Sequence, residues 1–128
     1  MDFLIFMKEE FEKLKIPYCF REWDKDVIPA TYWVGEYSEV PTLNEDGYCE
    51  TQFILTGTTR GSWFELERTK ELIRQHFYGG CGLRGTTAGG VIAVYYENAL
   101  PVPTGEAELK RIEIHFLIKE WKGMIECQ

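Results

Sequence analysis

The stretch ILTGTTRGSWFELERTKELI, residues 54–73, decides how the chain is divided. The β-like run Phe53 to Leu55 extends into the glycine-bearing turn Thr56 to Ser62, and a helix-like run follows at once. That is the local plan of a phosphate-cradling loop, in which N–H groups at a helix start hold an anion. The detail argues against one. Gly57 and Gly61 are separated by three residues rather than four, and Ser62, not lysine, follows Gly61. Without that lysine nothing reaches the β- and γ-phosphates. Ser62 and Glu65 instead match the S/T-x-x-E capping box, which predicts a plain capped helix from Ser62 to Phe77.

Working outward, the rest of the chain falls into short elements. Phe3, Met7, Phe11 and Leu14 recur at helical spacing among charged residues, so residues 2–15 read as an amphipathic helix ended before Pro17. Strands are expected over 18–23, 31–37, 49–56, 91–96 and about 107–120, where β-branched and aromatic residues cluster. Pro41 to Gly47 reads as a turn. The segment 79–90, GGCGLRGTTAGG, holds six glycines in twelve residues and reads as a flexible loop, as does 97–106. In the last strand Ile112, Ile114, Phe116 and Ile118 alternate with Arg111, Glu113 and His115, so one face is core and the other wet. The expected order is α-β-β-β-α-β-β. It describes one α+β domain over 1–128: a mainly antiparallel sheet of four to five strands with two helices packed on it.

Composition narrows the function. The 128 residues carry 21 acidic and 14 basic side chains, a formal charge of −7, with 45% hydrophobic and 15% aromatic residues. That balance disfavours phosphate-neutralising nucleic-acid binding, while like charge suits a surface past which DNA slides without sticking. No apolar run reaches the length of a membrane span, and FLIFM at 3–7 is too short for a signal-peptide core. Cys19, Cys49, Cys81 and Cys127 form no C-x-x-C pair, so zinc and thioredoxin-like readings lose their sequence support.

Catalytic constellations are thin. His76 precedes Cys81 by five residues, but a glycine-rich loop holds no nucleophile firmly, and a histidine at a helix C-terminus is explained by the macrodipole. Asp24-Lys25-Asp26 begins like a calcium loop and lacks its glycine and closing glutamate. No catalytic, cofactor-binding or metal-ligating residue is assigned. Two segments are candidate contact surfaces instead: Arg111, Glu113 and His115 on the last strand, and Gly79, Gly80, Leu83, Arg84, Gly89 and Gly90 in the glycine-rich segment. The first is either an interface that pairs charges or a solvated face.

The order of elements, the chain length and the wording of residues 30–77, from ATYWVGEYSEV through SWFELERTKELIRQHF, resemble the tail-completion or tail-terminator proteins of tailed phages and prophages. The resemblance spans nearly the whole chain. It implies an α+β fold, no enzymatic activity and no cofactor. It also implies a ring of copies, commonly a hexamer, that caps the tail tube and meets the head connector. The expected partners are thus itself, the tail-tube protein and a head-completion protein, with no specific nucleic-acid binding and no membrane. The expected place is the bacterial host cytoplasm during assembly and then the virion tail. A neighbouring head–tail joining role, a small nucleotide-binding or hydrolytic enzyme, and a monomeric binding domain are the alternatives.

Overall fold

A computed structural model describes residues 2–40 and 48–122. The turn expected over 41–47, and Cys127, lie outside them. Helix α1 (Asp2–Lys13) buries Phe3, Met7, Glu10 and Phe11 and ends where Lys15 turns left-handed at φ 58°. Pro17 then feeds β1 (Tyr18–Phe20), which Arg21, at φ 70°, cuts to three residues. The remaining elements are β2 (Thr31–Val40), β3 (Tyr48–Thr59), α2 (Trp63–His76), a single 3₁₀ turn at Gly79–Cys81, β4 (Leu83–Thr87), β5 (Gly90–Val102) and β6 (Lys110–Lys122). No helix among the described residues is long and apolar enough to cross a membrane.

Among the described residues the strands form one sheet of six, in the order β1-β2-β3-β6-β5-β4. The α+β class and the mainly antiparallel pairing hold, but the strand count is six rather than four to five, and one pair is parallel. β1 pairs with β2 in parallel, Tyr18 beside Trp33 and Phe20 beside Gly35, through the crossover at 21–30. All other pairs are antiparallel. The extra strand, β4, comes from the glycine-rich segment expected to be a flexible loop. Leu83 to Thr87 pair with Val94 to Gly90, and Ala88-Gly89 make the two-residue hairpin turn. Gly85 is required there, because a Cβ would stand 2.6 Å from the Phe6 ring of α1. The other expected loop, 97–106, is also partly strand. β5 continues to Val102 across a bulge between Tyr96 and Asn98.

Both helices cover the same face. Trp33, Phe53, Leu55, Ile92, Val94, Ile112, Ile114, Phe116 and Ile118 point from the sheet into a core closed by Met7 and Phe11 of α1 and by Leu66, Ile73 and Phe77 of α2 and its end. The alternation expected for β6 is what buries it. Phe116 is the centre: its ring lies 5.0 Å from Phe77, 5.8 Å from Tyr96, 6.2 Å from Phe53 and 6.3 Å from Phe11. Aromatic pairs of this kind contribute about 1 kcal/mol each beyond their buried area. The outer side of α2 neutralises itself through Glu65–Arg68, Glu67–Lys70 and Glu71–Arg74 pairs, one turn apart.

Candidate functional site

The turn between β3 and α2 uses its polar groups internally. Ser62 occupies the N-cap in extended conformation, but its side chain makes no capping bond. The Glu65 N–H donates to the Ser62 carbonyl at 3.1 Å, while the Glu65 carboxylate turns to Arg68 at 2.9 Å. The expected capping box therefore does not form. Thr59 does the local work: its hydroxyl accepts the Gly61 N–H at 3.0 Å and pairs with the Thr31 hydroxyl at 2.7 Å. Lys110 Nζ donates to the Gly61 carbonyl at 3.1 Å.

The sheet face opposite the helices is assembled from alternate residues of four central strands. Register places Tyr32, Thr58, Arg111 and Val102 in one row across it. The next rows are Val34, Thr56, Glu113 and Leu100, then Glu36, Ile54, His115 and Asn98, then Ser38, Gln52, Leu117 and Tyr95. Further along, Lys119 Nζ lies over two rings, 5.0 Å from the centre of Tyr48 and 5.6 Å from that of Tyr95, and Trp121 packs 5.3 Å from Tyr48. Such cation–aromatic contacts hold a charge against an apolar surface. The surface is thus a mixed one, with aliphatic and aromatic side chains separated by fixed charges.

Arg111, Glu113 and His115 stand together on this face, as their alternation predicted. Arg111 Nε donates to the Thr58 hydroxyl at 3.3 Å, and His115 Nε2 lies 3.2 Å from Glu113 Oε1. The second candidate set is elsewhere. Gly79 and Gly80 belong to the 3₁₀ turn, Leu83 and Arg84 to β4, Gly89 to the hairpin turn, and Gly90 starts β5. β4 faces Gly90–Val94, whose partners on β6 are residues 118–122, so the two sets occupy opposite ends of the sheet.

One polar cluster was not anticipated. Glu10, buried between the helices, accepts from Lys13 Nζ at 2.7 Å and meets His76 Nε2 at 2.7 Å. Burial pushes the Glu10 carboxyl up, but the bonds to Lys13 and His76 together outweigh it and hold the group below its ordinary range. His76 is thereby engaged by α1, which is a structural role, while Cys81 sits exposed in the 3₁₀ turn. Among the described residues no three His, Cys, Asp or Glu side chains are grouped to hold a metal ion, and no buried side-chain polar atom lacks a hydrogen-bond partner. The sequence signal for the Glu10–His76 pair was a lone glutamate on the apolar stripe of α1, which reads as nothing without its partner.

No family model matches the chain, and no curated protein matches it.

Proposed function

We propose that this protein is a structural subunit of tailed-phage or prophage assembly, of the tail-completion or tail-terminator kind. Copies close into a ring on the end of the tail tube, stop its growth and offer a surface to the head connector. The observation that best supports this reading is the one-sided sheet. Helices cover one face, and the other presents Val34, Ile54, Leu117, Tyr32, Tyr95 and Trp121 among the charges of Arg111, Glu113 and His115. Aromatic residues in an apolar centre with polar neighbours are what protein–protein contacts select. The formal charge of −7 suits a ring through which DNA passes without adhering. On this reading the protein works in the bacterial host cytoplasm during assembly and stays in the virion tail, with no catalytic step.

The test is polymerisation of purified tail-tube protein followed by electron microscopy. Adding the chain during growth should shorten the tubes and leave a ring-shaped density at one end. Tubes of unchanged length with bare ends, at any ratio of the two proteins, would contradict the proposal.

A further inference from the structure

The two edges of the sheet are stepped in opposite senses. On one edge β1 covers only Trp33 to Gly35 of β2. The outward groups of that stretch are used: the Trp33 N–H donates to the Pro17 carbonyl at 2.9 Å, and the Gly35 carbonyl accepts the Arg21 N–H at 2.7 Å. Beyond Gly35 no strand among the described residues covers the outer edge of β2. On the other edge β4 covers β5 only from Gly90 to Val94, and among the described residues no strand covers the outer edge of 98–102.

Register shows where these gaps lie. Trp33 aligns through Gly57 and Ile112 with Pro101, so β1 stands at the level where β5 is bare. β4 stands at the opposite end, toward which the bare part of β2 runs. Each edge therefore has a projecting strand where the other has a gap. The side chains are complementary as well. Arg84 is exposed on β4 and Glu36 on the bare part of β2, both on the sheet face away from the helices. At the other level Leu100 is 41% exposed on β5, and Val27 and Ile28 are 77% and 63% exposed in the crossover beside β1. Pro101 removes an N–H from the bare β5 edge, so that level is suited to side-chain contact rather than to a ladder.

We infer that copies of this chain join edge to edge, with β4 of one copy pairing in parallel with the Glu36–Val40 stretch of β2 in the next. The two edges differ, so the contact is heterologous and repeats around a ring or along a filament. It continues the sheet from copy to copy and covers the unpaired backbone groups that an open edge otherwise exposes. The strand directions permit it, because β4 and β2 run the same way through the alternating β3, β6 and β5. The inference rests on the ring reading above and names the contact that makes the ring.

The test is cross-linking of the full chain carrying Ser38→Cys and Thr86→Cys, in a background of Cys49→Ser, Cys81→Ser and Cys127→Ser. Both positions are exposed on the same face of the sheet. Within one chain they are four strand spacings apart, roughly 19 Å, beyond a short bismaleimide linker. With tail-tube protein present, the double variant should give a ladder beyond the dimer. A mixture of the two single variants should stop at dimers, and neither alone should cross-link. Arg84→Glu should abolish the ladder, and adding Glu36→Lys should restore it, all variants keeping the wild-type circular dichroism. Rings seen by light scattering without a ladder would overturn the edge contact and leave the ring standing. Absence of both the ladder and any effect on tubes would overturn the two together.

Discussion

His76 Nε2 lies 2.7 Å from Glu10 Oε1, closing the last turn of α2 onto α1 across 66 residues of chain. Glu10 also accepts from Lys13, so one buried carboxylate satisfies two donors and ties the end of α2 to α1. Glu10→Gln should cost about 2 kcal/mol at neutral pH, the size of charge-assisted bonds lost at a buried site. Urea unfolding of both proteins measures it.

The same pair gives a pH dependence of definite sign. The Glu10 carboxyl is held below its ordinary value of 4.5 in the folded protein, so the unfolded chain binds the proton more readily. Its contribution is therefore complete above that ordinary value and is lost as pH falls through the lowered one. The stability gap between wild type and Glu10→Gln should shrink on acidification. A gap that stays constant down to strongly acid pH would refute the assignment.

Gly57 faces the Trp33 ring across β2 and β3, and a Cβ there would stand 2.5 Å from a ring carbon. Trp33 is 1% exposed and has nowhere to move. Gly57→Ala should destabilise by about 1–3 kcal/mol through overpacking. A denaturation midpoint indistinguishable from wild type would mean the ring is less confined than the geometry states.

Ser62→Ala should change stability by less than about 0.5 kcal/mol, as a surface substitution does. A working capping hydroxyl would instead cost about 1 kcal/mol on removal. Thermal unfolding separates the two, and a loss near the larger figure would restore the capping box.

The amides of β4 that bond to β5 should exchange slowly in the isolated protein, well behind those of the 103–109 turn. Exchange of all β4 amides at the rate of free peptide would return the segment to the loop expected from its glycines.

What was legible in the sequence follows a physical line. Period-two burial in β6 and the helical stripes of α1 and α2 were plain, because each element's own residues state its face. β4 was hidden because glycine has low strand propensity, and Gly85 is there to admit Phe6, a residue near the other end of the chain. The parallel pairing of β1 was equally hidden, since Tyr18 packs under Phe11 at 4.8 Å and local turn chemistry does not report that. The 62–65 spacing met the capping rule, yet Glu65 found Arg68 first. Of the candidate contact residues, Arg111, Glu113 and His115 were readable together from alternation alone. The complementary edge steps needed the register of all six strands.

Light scattering over a wide concentration range, with and without purified tail-tube protein, tests the central claim most directly. A closed oligomer of fixed mass should form, on its own at high concentration or at low concentration once the tube is present. A protein that stays monomeric in both conditions and leaves tube length unchanged would contradict it.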